Sequence, residues 1–262
     1  MKLIPCGTSL PFVRTSASRG RPRRDSVTCV GVPSCFWSLV LNVAIWKITG
    51  LVTFNGPTLM TDWAEYPDMP EYTERYVRKA LCEATPIGVV EAATGWTDER
   101  LDWRTRQDLT RARRRQSTPG WTWLKEGHEE GVLIGGCLES LQHLRGTPYW
   151  PEWEGAILFL ETSELRPSLA DVDAMLMDYE NMGVLERLRG LLVARPYGYA
   201  PADRQRLHQV LLERTASYHF PIIADMDFGH TSPIFTIPVG CAAVIETVSR
   251  RFEIIDAAVS PE

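Results

Sequence analysis

The chain has 262 residues, 44% of them hydrophobic and 23% charged, with a net charge of −5 at pH 7. That length suits one large domain or two small ones, and the acidic balance excludes a global attraction to nucleic acid or to an anionic membrane. No apolar run approaches the roughly 20 residues needed to span a bilayer, and six scattered cysteines without a C-x-x-C pair predict reduced thiols in a cytoplasm, not a disulfide frame or a zinc site.

Residues 1–24 carry Lys2, Arg14, Arg19, Arg21, Arg23 and Arg24 without one acid. The stretch lacks the apolar core of a signal peptide; its composition leaves open a transit peptide or a poorly ordered tail. Regular patterning begins near Leu39. Residues 39–50 are apolar at nearly every position and end in Gly50, as a buried helix with a glycine cap would. A short β-rich run follows over 51–57, then an amphipathic helix over 71–82 with Tyr72, Tyr76 and Ala80 on one side. After that helix the pattern changes to short strands and turns, which places a domain boundary near residue 85.

Residues 97–127 form a heavily charged segment in which Trp103, Trp121 and Trp123 stand among basic residues. Basic residues interleaved with aromatics bind single-stranded nucleic acid in some proteins; a long solvated excursion is the plainer reading. Exposed indoles nonetheless call for a ligand or a packing partner. Further on, strands are expected over 131–136, 155–161, 188–195 and 220–226. Two helices lie between them, over 168–183 with a Ser168-x-x-Asp171 capping pattern and over 201–218 with Pro201 in its first turn.

The usual nucleotide and metallopeptidase signatures are absent, and Asp227-Phe228-Gly229 stands without the other kinase motifs. His230 is different from the other four histidines, which read as surface or packing residues. It follows a β run and sits between Gly229 and Thr231, while a second strand ends in Glu161. Strand ends in open α/β architectures gather reactive side chains. A carboxylate on imidazole Nδ1 fixes the tautomer and stabilises the imidazolium formed when Nε2 takes a proton. The pair therefore reads as base and orienter of a triad, or as a helix-capping Glu161 and a turn-bonded His230; the residues alone leave both open.

Several stretches in this order resemble one family: "TGLVTFNGP" (49–57), "LIGGCLESLQHLRGTPYWP" (133–151), "GAILFLETSE" (155–164), "MLMDYENMGVLERLRGLLVARPYGY" (175–199) and "PIIADMDFGHTSPIFTIPVG" (221–240). Together they span residues 40–260, and they resemble the serine peptidases that include LD-carboxypeptidase and the microcin C self-immunity protein. The resemblance implies an α/β fold. A flavodoxin-like N-terminal domain supplies the nucleophilic serine, and a C-terminal domain with a mixed, barrel-like sheet supplies Glu161 and His230. It implies amide cleavage through an acyl-enzyme, on L,D-peptides or aminoacyl-nucleotides, by a cytoplasmic homodimer with no cofactor, no metal and no membrane partner. The charged segment matches an insertion whose aromatic loop closes over the nucleotide end of the substrate, so that Trp121 or Trp123 would stack on a base.

The family's Gly-Tyr-Ser-Asp-like nucleophile motif is missing. The corresponding place, residues 34–37, reads "SCFW", with Ser34, Cys35 and Ser38 nearby; Ser38 is carried as the candidate nucleophile. The expectation is an aberrant segment over 1–38, a remnant of the nucleophile domain over 39–85 and the C-terminal domain over 86–262, from a truncated or frame-disrupted gene. Three functions follow: a hydrolase with an improvised nucleophile, an inactive remnant that still binds peptide or nucleotidyl ligands, and a nucleic-acid-associated protein using the Arg/Trp segment.

Overall fold

The computed structural model describes residues 38–261. In chain order it contains α1 (Ser38–Thr49), β1 (Thr53–Asn55), α2 (Glu71–Cys82), β2 (Pro86–Val89), β3 (Gly95–Trp96), β4 (Gln116–Ser117), β5 (Thr122–Lys125) and β6 (His128–Cys137). A one-turn helix α3 (Leu138–Leu141) follows, then β7 (Ala156–Glu161), α4 (Leu169–Asn181), β8 (Leu188–Ala194), α5 (Pro201–Arg214), β9 (Ile222–Met226), β10 (Ile237–Val239), β11 (Ala242–Glu246) and β12 (Arg251–Ala257).

Eight strands form one mixed sheet in the order β2-β12-β11-β6-β7-β8-β9-β5. Its centre, β6 to β9, is parallel, and the flanking pairs are antiparallel. Parallel strands must be covered on both faces, and the residues of β7 show how this is done. Ile157 and Phe159 belong to one core cluster, whereas Ala156, Leu158 and Leu160 belong to another. The same alternation continues in β8, where Leu192 and Ala194 face the first cluster and Leu191 and Val193 the second. A period of two in an unbroken apolar run thus feeds two cores at once.

Helices α4 and α5 cover the second cluster with Val172, Leu176, Tyr179, Leu207 and Leu211. They are the successive crossovers β7-α4-β8 and β8-α5-β9, and crossovers of one hand advancing in one direction put both helices on the same side. Their starts follow the sequence: Ser168 and Asp171 form a reciprocal capping box, and Pro201 opens α5. The first cluster lies inside a curl of the sheet, because Ile87 of edge strand β2 and Trp121 beside edge strand β5 both join it.

The mixed α/β architecture agrees with expectation, and the four anticipated strands coincide with β6 to β9. Strands β10 to β12 were not singled out; β11 and β12 alternate buried with partly exposed positions, a weaker signal than a fully buried run. The boundary near residue 85 is bridged by packing. Val52, Phe54, Tyr76 and Ala80 share a core cluster with Phe235 and Phe252, and β1 pairs antiparallel with β10. Residues 1–37, with Ser34 and Cys35, lie outside the described residues. Cys137 and Cys241 are buried free thiols. No helix among the described residues is long and apolar enough to cross a membrane.

One buried ion pair ties the carboxyl ends of β8 and β9. Arg195 Nη1 donates to Asp227 Oδ1 at 2.8 Å, with the side chains 2% and 0% exposed, and Arg195 Nη2 donates to the Asp225 carbonyl at 2.8 Å. Removing one partner strands the other charge in a dry interior. Arg195→Ala is therefore expected to lower unfolding stability by about 3–5 kcal/mol in urea titration; a loss near the roughly 0.5 kcal/mol of an ordinary surface change would contradict this.

Candidate active site

The stretch after β9 explains how a buried strand presents a histidine. Asp227 is fully buried and accepts hydrogen bonds from Trp121 Nε1 (2.7 Å), the Ala93 amide (2.8 Å) and Arg195. Phe228 turns into the core, edge-on to Phe159 at 6.0 Å. Gly229 then adopts a left-handed φ of 87°, where a Cβ would stand 2.3 Å from Glu161 Oε2. Only glycine allows the backbone to pass so close to that carboxylate. The next residue is delivered beside it: His230 Nδ1 lies 2.7 Å from Glu161 Oε2.

Glu161 ends β7 and is almost wholly buried. Its second oxygen, Oε1, accepts from Asn55 Nδ2 at 3.2 Å. Asn55 reaches it because β1 pairs with β10, with Asn55 opposite Ile237. Sequence reasoning passed over Asn55, although it stands inside the "TGLVTFNGP" stretch. A short polar residue ending a buried strand beside a Gly-Pro turn was the available signal.

The other ring nitrogen has a partner that was also missed. His230 Nε2 lies 2.8 Å from Glu164 Oε2, on the loop after β7. The imidazole is thus held between two carboxylates. Burial works against its charge, but Glu161 and Glu164 outweigh it and push the His230 pKa up from 6.5 to about 10. Hydrogen bonding to His230 in turn pulls Glu164 down to about 2. Near neutral pH the ring is an imidazolium donating from both nitrogens. A base in a triad needs a free, neutral Nε2, so Glu164 has to leave before His230 can accept a proton.

Ser38 is the first residue of α1; among the described residues the group at Nε2 is Glu164. The tryptophan assignments change. Trp121 is a core residue, packed against Phe235 and Phe252 and bonded to Asp227, so its ring faces are taken up by the protein. Trp123 lies in β5 opposite Ile223, half-buried against the same core. The indole that remains open is Trp103, 47% exposed. It lines a cavity of about 320 Å³ that adjoins the His230 cleft, the two sharing Thr61, Glu99, Arg100 and Arg113. The charged segment is ordered by its own ion pairs: Arg111 holds Glu99 through two bonds of 2.8 and 2.9 Å and draws its pKa down to about 2. Arg113 bonds the Thr61 carbonyl at 3.0 Å and pairs with Glu65.

The two-carboxylate clamp predicts a pH signature. A histidine raised in the folded state adds stability fully below about 6.5 and loses it as pH rises through about 10. Replacing Glu164 by Gln removes one of the two charges that raise it. The His230 imidazole in Glu164→Gln is expected to titrate at clearly lower pH than in the parent, followed by proton and nitrogen NMR of the ring. An unchanged titration would show that Glu164 is not a partner of the ring in solution.

Comparison with known proteins places this geometry. Residues 130–245 match the LD-carboxypeptidase C-terminal domain. The putative carboxypeptidase YocD of Bacillus subtilis is 31% identical over 206 residues, covering 79% of this chain and 61% of that protein. The microcin C7 self-immunity protein MccF of Escherichia coli is 26% identical, covering 85% and 64%. A solved structure of MccF in complex with aspartyl sulfamoyl adenosine superposes with a TM-score of 0.75 at 25% identity, covering 85% of this chain and 66% of that one. The chain thus spans a little under two thirds of the length of these relatives. With its mixed sheet, its matched residues and this likeness, the chain belongs to the LD-carboxypeptidase family, residues 130–245 carrying the family's C-terminal domain.

Proposed function

We propose that the chain is a serine-peptidase-type amide hydrolase in which Glu161 orients His230 as the general base, acting on an L,D-peptide or an aminoacyl-nucleotide amide. The observation that carries this reading is the 2.7 Å contact between His230 Nδ1, after β9, and a buried glutamate that ends β7, the parallel strand two places away across β8. In the reaction, departure of the Glu164 carboxylate frees Nε2, and the ring releases its extra proton. Nε2 then takes the proton of a nucleophilic hydroxyl as it attacks the amide carbon, and returns it to the leaving amine. Glu161 stabilises the transient imidazolium, and Asn55 holds Glu161 from its far side. Ser38 is the proposed nucleophile. A nucleotide end of the ligand would fit the adjoining cavity, with Trp103 available for stacking. The complex of MccF with aspartyl sulfamoyl adenosine supports this class of ligand.

By the same family likeness we extend the proposal to a homodimer of the cytoplasm, working without a cofactor in peptidoglycan recycling or microcin resistance. A second reading is favoured by the contact of Glu164 with Nε2: a non-catalytic homologue that binds the same ligands while its histidine stays protonated.

The deciding experiment incubates the parent and His230→Ala with an L,D-tetrapeptide and an aminoacyl-sulfamoyl adenosine, with products followed by mass spectrometry. Hydrolysis is expected from the parent, falling by about 10²–10⁴ in the variant, and a trapped acyl-enzyme identifies the nucleophile. Equal rates, or no cleavage by folded parent protein, would defeat the hydrolase reading; tight binding without cleavage would establish the second.

A further inference from the structure

Three loops meet at the mouth of the His230 cleft, at the carboxyl ends of β7 and β8 and in the charged segment. They bring Arg166, Tyr197 and Arg100 together. Both guanidiniums lie over the ring of Tyr197, Arg100 at 4.9 Å and Arg166 at 5.5 Å from its centroid. Tyr197 itself is buried, so the ring is a fixed platform under two exposed side chains.

The placement of Arg166 is built into the backbone. Its own φ is 53°, a left-handed value that non-glycine residues adopt at a cost. Gly198, next to the platform, has φ of 67°, and a Cβ there would stand 2.6 Å from Arg166 Nε. The Gly198 amide is anchored by Asp98 Oδ2 at 3.1 Å. A strained arginine and a glycine that leaves room for it are an unusual pair of local choices for an exposed side chain with no counter-ion. Among the described residues neither Arg100 nor Arg166 has a carboxylate within ion-pair distance. Two positive charges over one ring repel each other unless an anion joins them.

Arg100 and Tyr197 line the same cleft as His230. Of the carboxylates near them, Asp98 is bonded to the Gly198 amide and Glu99 to Arg111, whereas Glu164 feels the charge of Arg100 and is bonded to His230 Nε2. We infer that Arg100 and Arg166, carried by Tyr197 and seated against Gly198, form a carboxylate clamp that takes the free C-terminal carboxylate of a peptide ligand. The inference rests on the hydrolase reading for its ligand class. The guanidinium fork suits a carboxylate through paired N–H donors. Docking there sets the terminal residue beside His230, where it competes with Glu164 for the same positive surface.

The test is a binding measurement on the whole chain, with N-acetyl-L-lysyl-D-alanine and its C-terminal amide as probes, followed by NMR shifts at the Gly198 and His230 amides. The acid is expected to bind at least about tenfold more tightly than the amide, a difference of about 1.4 kcal/mol. Arg100→Gln and Arg166→Gln should each bring acid and amide together, and Arg166→Lys should keep only part of the preference. Both side chains are exposed, so a melting temperature close to the parent's is expected and separates lost binding from lost fold. Equal binding of acid and amide, a preference that survives both arginine changes, or no binding of the acid would overturn the clamp. Cleavage is scored separately. Discrimination without hydrolysis would leave the clamp standing and remove the hydrolase reading, whereas hydrolysis of acid and amide at equal rates would do the reverse.

Discussion

The architecture around the cleft depends on one buried carboxylate. Asp227 accepts bonds from a guanidinium on the end of β8, an indole from the start of β5 and an amide from the loop after β2. With no water to solvate it, its charge is tolerable only while all three donors stay in place. That requirement joins the centre of the sheet to its two edges, and so helps hold the curl in which the first core cluster sits. It also clamps the chain two residues before Gly229, where the backbone must slip past Glu161. The position of His230 is thus a consequence of how Asp227 is satisfied.

Electrostatics at His230 run in the opposite sense from a resting triad. A histidine with one carboxylate on Nδ1 keeps a neutral Nε2 for catalysis; here a second carboxylate, on a half-exposed side chain, holds the proton on. The two glutamates are not equivalent. Glu161 is buried, pinned by Asn55 and part of a strand, whereas Glu164 lies on a loop and can move into water at small cost. An anionic ligand entering among Arg100, Arg166 and the imidazolium would meet a positive surface already provided with a replaceable anion. Under the proposed function, ligand binding and release of the His230 proton would be coupled through the Glu164 side chain.

The charged segment, expected as a long solvated excursion, is folded against the cleft. Two of its arginines form ion pairs, Arg111 with Glu99 and Arg113 with Glu65, and these brace the wall shared by the two cavities. Its three tryptophans divide by environment. Trp121 supplies an N–H to Asp227 and bulk to the core, Trp123 is half-covered on an edge strand, and Trp103 is left facing the open cavity. Spacing along the chain held no information on this division, since all three stand among similar charged neighbours.

Much of the scaffold was determined by local rules readable in the sequence. The apolar run of β7, the capping box at Ser168 and the proline opening α5 each act within a few residues, so pattern suffices to find them. That a strand end would put His230 near the end of another, Glu161, followed from parallel α/β geometry together with a family resemblance. What only the tertiary structure decided are contacts between residues far apart in the chain. They include the donors of Asp227, Asn55 behind Glu161, the burial of Trp121, and the two arginines gathered on Tyr197. Glu164 is the instructive exception, three residues from Glu161 yet invisible as a partner of His230. Which nitrogen a loop carboxylate reaches depends on the path of the loop in space, and that path is set by the sheet beneath it.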